Sequence, residues 1–359
     1  VSPWQGRIAD ARRAGCLRGP GDQPPRAEHA RRSRSAGRPL DEDDIRVRPG
    51  RGSRPRSRQR PQHLDAATGF VVAVDRGRYT CLVEQHTVTA ARARELGRKS
   101  VVVGDHVALV GDVSGADGTL ARIVRVAERS TVLRRTADDD DPFERVIVAN
   151  ADQLVIVTAL ADPPPRTGLI DRCLVAAYVG GLEPLLCLTK SDLAAPDELL
   201  AGYAALGLAA VTTRRDTDPA DLRARLAGRT SVLVGHSGVG KSTLVNTLVP
   251  AARRVVGAVS AIGRGRHVSS SAVALPLADG GWVIDTPGIR SFGLAHAQPA
   301  DLLSGFADLA DGAAQCPPSC AHQSAVDGCA LDAWVAAGGA TAARLASFRR
   351  LLAARTAAD

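Results

Sequence analysis

No stretch of this 359-residue chain approaches the run of about eighteen apolar residues that a membrane-spanning helix needs, so no membrane span and no membrane partner is expected. The arginine-rich N-terminus lacks the apolar segment of a secretory signal. Methionine is absent and the chain begins at Val1, for which an alternative start codon or an over-extended start is the expectation; residues 1–37 are given no function. Cysteine is sparse and odd in number, seven in all, with Cys316, Cys320 and Cys329 close together. That usage suits a reduced cytoplasm and a metal site better than disulfides.

Lysine is the most informative scarcity. Of 46 basic residues only Lys99, Lys190 and Lys241 are lysine, and the last two sit inside motifs described below. In a composition that so prefers arginine, these positions call for an ammonium on a flexible stem rather than a planar fork. Positive charge is also unevenly placed. Residues 1–62 hold 16 arginines against 7 acids, whereas the remainder is close to neutral with 30 basic and 31 acidic residues. The excess belongs to the arm, which either contacts phosphate backbone or is a solvated tail.

Residues 1–65, rich in Arg, Pro, Gly and Ser, read as a disordered arm. From residue 66 the texture changes to short β-rich segments, "GFVVAVDRGRYTCLVE", "VVVGDHVALVGD" and "TLARIVRVAERSTVLRR", which predict a small barrel of the OB-fold type over 66–136. The acidic run in 137–144 is expected to be a linker. Residues 145–295 then alternate strand and helix: "DQLVIVTAL", "LIDRCLVAAYVG", "PLLCLTK", "PDELLAGYAALG", "AAVTT", "TSVLVG", "KSTLVNTLV" and "GWVIDTPG". Alternation of this kind predicts a mainly parallel sheet with its ligand at the strand C-termini. Residues 296–359 are alanine-rich and helical, with the cysteines embedded, and end in an amphipathic helix carrying Arg344, Arg349, Arg350 and Arg355.

"GHSGVGKST", comprising Gly235, His236, Ser237, Gly238, Val239, Gly240, Lys241, Ser242 and Thr243, fits the phosphate-loop pattern without mismatch. Its glycines let backbone N–H groups approach a polyanion, and the following helix aims its N-terminus at that charge. Lys241 is expected to reach the β- and γ-phosphates, with Ser242 ligating Mg²⁺. Downstream, "DTPG" places Asp285 to hold Mg²⁺ through a water and Gly288 to offer its N–H to the γ-phosphate. "TKSD", Thr189, Lys190, Ser191 and Asp192, reads guanine: a carboxylate at Asp192 accepts from N1–H and the exocyclic amine, a donor pair that adenine lacks. Lys190 lies along the base, Thr189 braces the loop, and Val211 to Arg214 is a weaker candidate to back the base.

Between these motifs "GRGRHVSSS" is placed as the first switch. Ser269, with Ser270 beside it, is the candidate hydroxyl for Mg²⁺. Where many GTPases carry a catalytic glutamine this chain has Ile289, so slow intrinsic turnover is expected, and His267 is the candidate to position or deprotonate water. Finally, "CPPSCAHQSAVDGC" offers three thiolates and an imidazole, Cys316, Cys320, His322 and Cys329, a closed set suited to one structural Zn²⁺ per monomer. Cys16, Cys81, Cys173 and Cys187 are scattered, and those in apolar segments read as core.

The base reader precedes the phosphate loop, the reverse of the usual GTPase order, which a circular permutation explains. The expected fold is therefore multidomain α/β: an N-terminal OB-fold barrel, a central circularly permuted P-loop GTPase domain and a C-terminal helical zinc-binding module. With these flanks, "VIVANADQLVIVTA", "IDRCLVAA", "LTKSDL", "GHSGVGKSTLVN", "GRGRH", "DTPGIRSFGL" and the terminal cluster, the chain resembles the ribosome small subunit-dependent GTPase A family (RsgA/YjeQ) over about residues 66–359. Family members usually carry threonines after the switch histidine, where this chain has "VSSS". The resemblance implies GTP hydrolysis to GDP, stimulated by the small (30S) ribosomal subunit, in late subunit maturation in the cytoplasm. A monomer is expected, with rRNA touched by the barrel's Arg92, Arg94, Arg98 and Lys99 and by the terminal arginines. The competing readings are an RNA-docking protein in which GTP is mainly structural, and a metabolic kinase, which "TKSD" disfavours.

Overall fold

The computed structural model describes residues 63–96, 101–136, 144–250, 272–286, 294, 297–325 and 328–355. All of them fall in one compact unit, Pro61–Asp359. The basic arm, Arg98, Lys99, most of the acidic run, the switch with His267, Ser269 and Ser270, and Gly288 and Ile289 lie outside the described residues.

Five short strands open the fold: β1 (Ala67–Asp75), β2 (Arg78–Val83), β3 (His86–Arg92), β4 (His106–Gly111) and β5 (Ala121–Val126). They pair in the order β1-β2-β3-β5-β4, and β4 returns to β1, so the ring closes. β3 and β5 are parallel and the other pairs antiparallel, the topology of an OB-fold. Inward residues such as Val71, Cys81, Val88, Leu109 and Ile123 fill the ring. A bulge at Val71/Ala73 bends β1, whose Ala73 pairs with Val273 beyond the barrel. Edge exposure is thereby avoided on both sides of β1.

The strands flanking the acidic run pair with each other. β6 (Val132–Thr136) and β7 (Glu144–Ala149) form a separate two-stranded antiparallel sheet. The hairpin abuts the barrel at Gly104, whose backbone comes so close to Ala149 that a Cβ there would lie 1.9 Å from its carbonyl oxygen.

The central layer is built from β8 (Gln153–Ala159), α1 (Thr167–Gly180), β9 (Glu183–Thr189), α2 (Asp197–Tyr203), β10 (Ala209–Thr212), α3 (Ala220–Leu226), β11 (Thr230–Val234), α4 (Lys241–Leu248), β12 (Val273–Pro276) and β13 (Trp282–Asp285). Strands β10-β9-β8-β11-β13 run parallel, and antiparallel β12 joins β13 to β1 of the barrel, so the two sheets are continuous. β8 is buried along its whole length, as a β-branched run covered on both faces must be. Its Leu154 and Ile156 face the α1 side, while Val155 and Val157 pack with Leu244 and Leu248 of α4. The chain runs outward from β8 to β10 and then returns to β11 on the other side of β8. That reversal opens a crevice at the strand C-termini. β12 and α3 are elements the sequence reading did not resolve.

Among the described residues, helices α5 (Pro299–Leu303), α6 (Ala307–Ala313), α7 (Ala330–Ala336) and α8 (Ala342–Ala354) follow. Phe306, Leu309, Phe348 and Leu351 share one continuous core with Ile170 and Leu174 of α1. Tyr178, Phe306 and Phe348 stack edge to face at 5.7 and 5.1 Å, each pair worth about 1 kcal/mol beyond area burial. Among the described residues no helix is long and apolar enough to cross a membrane.

Candidate functional site

The buried strand β11 delivers the chain into Gly235–Gly240 and then α4. Gly235 lies so near β8 that a Cβ would sit 2.4 Å from the carbonyl oxygen of Val157. Gly238 and Gly240 adopt φ of 86° and 91°, left-handed values that only glycine takes without strain. Together with the start of α4 they form a concave run of backbone suited to an anion. The ammonium of Lys241 pairs with the Asp285 carboxylate at the end of β13 and also faces Thr286 O at 3.4 Å. Thr286 Oγ1 donates to Leu233 O at 2.7 Å, which locks this turn to β11. Of "DTPG", Asp285 and Thr286 are thus placed beside the phosphate loop.

Thr189 ends β9 and is buried. Its hydroxyl donates to Val239 O at 2.6 Å, with Thr158 O at 3.3 Å. One side chain therefore ties the "TKSD" loop to the glycine-rich loop after β11. Lys190 adopts φ of 57° and its ammonium donates to Asp162 O. Ser191 N donates to Thr213 O at 3.2 Å, and Thr213 N to Leu188 O at 2.7 Å, so the end of β10 supports the loop from the far side.

The two loops open into one cavity of about 810 Å³. Thr189, Lys190, Asp192, Gly238, Gly240 and Thr243 all line it. Ser191, Gly235, His236, Ser237, Val239, Lys241, Ser242 and Asp285 lie in the same loops or at their margin, outside the lining itself. His236 is buried, with Nδ1 2.8 Å from Ser237 O, so its imidazole belongs to the loop's support. Arg214 lines the cavity, and so do Arg215, Asp216, Thr217, Asp218, Pro219 and Arg223, which the sequence reading missed. Arg223 Nη2 donates to Asp218 Oδ1 at 3.0 Å. The signal was present as "RRDTDP" directly after a strand of the parallel layer, where rim residues belong.

The second constellation is Cys316, Cys320, His322 and Cys329, whose donor atoms all lie within 4.8 Å of one another. Cys316 Sγ is 3.5 Å from His322 Nδ1 and 4.0 Å from Cys329 Sγ, and Cys329 Sγ is 3.7 Å from His322 Nδ1. A tetrahedron with metal–sulfur bonds of about 2.3 Å has sulfur–sulfur edges of about 3.8 Å, so the donor set fits a tetrahedral metal ion. Ala330 N donates to Cys316 Sγ at 3.2 Å, a contact that stabilises a thiolate. Burial pushes the Cys329 thiol up to about 11 and, with Arg349, holds His322 below its usual value. An ion at this site reverses the first tendency by deprotonating the thiol outright. Cys81 and Cys187 are buried with thiols pushed up to about 12 by desolvation, as expected of inert core, and Cys173 is buried too.

The terminal arginines are engaged within the molecule, not presented as a free basic face. Arg349 grips Asp332 with both Nη atoms at 2.9 and 2.6 Å and reaches His322 O at 3.2 Å. Arg344 binds Asp308 and Gly305 O and covers the Phe306 ring. Arg350 pairs with Asp171, and Arg355 donates to Ala297 O at 2.6 Å. An amphipathic pattern shows which face of a helix is polar; here that face meets carbonyls and carboxylates of neighbouring helices.

Residues 126–295 match the RsgA GTPase family. The chain is 39% identical over 263 residues to the small ribosomal subunit biogenesis GTPase RsgA of Azotobacter vinelandii, covering 71% of this chain and 75% of that protein. It is 42% identical over 217 residues to the protein of the same name from Ectopseudomonas mendocina, covering 58% and 63%. Among solved structures, YjeQ from Thermotoga maritima superposes with a TM-score of 0.59 at 25% identity, covering 82% of this chain and 99% of that one.

Proposed function

The chain belongs to the RsgA GTPase family, and on that premise we propose that it hydrolyses GTP to GDP and phosphate in the biogenesis of the small ribosomal subunit. One observation carries the reading at this site: Thr189 bonds Val239, so a guanine-type loop and a phosphate loop fifty residues apart face a single cavity of nucleotide size.

In this reading Asp192 accepts from N1–H and the exocyclic amine of guanine, and Lys190 lies along the base. The backbone from Gly235 to Thr243 holds the phosphates, and Lys241 exchanges its partner Asp285 for phosphate oxygens. Ser242 and Asp285 would hold Mg²⁺, with Ser269 as the switch ligand. The ion, when bound, offsets charge developing on the transferring group. Gly288 N–H would contact the γ-phosphate and His267 would orient the attacking water. Cys316, Cys320, His322 and Cys329 would hold one structural Zn²⁺; protein donors fill every position, so the site folds the module and does no chemistry. Contacts to rRNA involve Arg92, Arg94, Arg98 and Lys99 of the barrel. The protein acts in the cytoplasm as a monomer.

Phosphate release from GTP and ATP, with and without purified small subunits, tests this reading, with Lys241→Ala as the control. The expected result is slow turnover specific to GTP that rises strongly with subunits. Tight GTP binding with no turnover under any condition would instead make the chain an RNA-docking protein, and preference for ATP would overturn guanine recognition.

A further inference from the structure

We propose that Arg350, on the last helix, is a positioning residue for guanine recognition, through which the metal-bearing module sets the grip on the base. The inference rests on the guanine site proposed above. The segment after Asp192 runs through Leu193–Pro196 into α2, and α2 is seven residues long with Tyr203 as its one buried residue. A cavity of about 540 Å³ lies beside it, lined by Ala194, Ala195, Tyr203, Asp171 and Arg350 among others. Apolar packing therefore holds this corner only in part. Polar contacts add to that restraint, and Arg350 makes several of them.

Its guanidinium makes three kinds of contact at once. Nε pairs with Asp171 Oδ2 of α1 at 3.1 Å, Nη1 donates to Gly202 O of α2 at 3.2 Å, and the group sits 4.9 Å from the centre of the Tyr203 ring. Tyr203 in turn donates to Thr167 O at 3.3 Å. Asp171 is 5% exposed and its carboxyl is raised by burial, with Arg350 acting against that rise. Six residues earlier on α8, Arg344 Nη1 donates to Ala205 O at 3.1 Å, just beyond the end of α2. The planar fork is what lets a single side chain reach a carboxylate, a carbonyl and an aromatic face together; an ammonium cannot.

On the other side α8 is fixed to the metal cluster. Arg349, next to Arg350 in the chain, donates to His322 O at 3.2 Å and clasps Asp332 of α7. The order of contacts is thus cluster, α8, Arg350, α2, base-reading loop. Anything that shifts α8, such as docking of the module, changes the loop that holds guanine and hence the lifetime of bound nucleotide.

The test uses the full chain and the off-rates of fluorescent GDP, IDP and ADP in the wild type, Arg350→Ala and Arg350→Lys. Inosine lacks the exocyclic amine, so a misplaced Asp192 costs GDP more than IDP. Coupling through packed elements of this kind changes binding by roughly twofold to thirtyfold. We expect the GDP off-rate to rise about fivefold in Arg350→Ala, the IDP off-rate to rise less, and Arg350→Lys to behave like Arg350→Ala. Equal rises for GDP and IDP, or no rise in either variant, would overturn the proposal. Should Arg350→Ala not fold, Arg350→Lys is judged by the same two outcomes. A wild type that holds ADP as well as GDP would overturn the guanine site itself, and the inference with it.

Discussion

The bond from Thr189 to Val239 yields the sharpest prediction. Thr189→Val keeps the shape of the side chain and the packing at the end of β9, where the residue is 6% exposed, but removes the donor that reaches Val239 O at 2.6 Å. A buried carbonyl deprived of its partner costs about 1–3 kcal/mol, so the stability of the folded chain should fall by about 2 kcal/mol. The same bond sets the spacing between base reader and phosphate loop before any ligand arrives, and a nucleotide that spans both must then restore it on binding. If most of that cost reappears as reorganisation, the GDP dissociation constant rises about tenfold, since about 1.4 kcal/mol corresponds to a factor of ten. Thr189→Ser retains the hydroxyl and should lie within about threefold of the wild type. Urea unfolding and fluorescent-nucleotide titration on the three proteins measure both quantities. If Thr189→Val loses stability yet binds GDP as tightly as the wild type, the bond is a core contact only, and the claim that it aligns the two loops is refuted.

Two further outcomes follow from the C-terminal module. If Cys316, Cys320, His322 and Cys329 hold a metal ion, a strong chelator should expose the three cysteines to a thiol reagent, while Cys81 and Cys187 stay protected by burial; a thiol titration that rises by three on chelation checks this. Asp332 is held below its usual value of 3.8 by the Arg349 fork. Its stabilisation is therefore complete above that pH and lost as pH falls through the lowered value. Asp332→Asn should flatten the acid limb of unfolding, by no more than about 1 kcal/mol for so exposed a pair.

Much of the central site was legible because its residues act through the backbone or through fixed spacing. Gly235, Gly238 and Gly240 are demanded by a close approach and two left-handed turns, so the sequence itself carries the geometry. β8 and β11 were legible as apolar runs because both their faces are covered. The rim from Arg215 to Pro219 was not, because a polar loop acquires meaning only when the strand beside it is placed. β12 escaped because four residues, Val273–Pro276, are too few to show a period of two. The pairing of Thr136 with Glu144 was not legible either, because it depends on the strands that flank the acidic run.

The terminal arginines show a deeper limit and explain it. Charge density along a helix is the same whether the charges meet solvent, RNA or buried carbonyls, so the sequence alone does not separate these uses. What separates them is the partner inventory: Asp308, Asp332 and Asp171 lie on three other helices, each opposite one arginine. The intervening Phe348 and Leu351 of α8 are fully buried against the α1 face. A helix whose apolar stripe and polar flank are both satisfied within the fold is a strut. A strut spanning from the metal cluster to α2 means that the module cannot be displaced without disturbing the central layer. That mechanical continuity is what a GTPase needs if an event at the module is to be felt at the nucleotide.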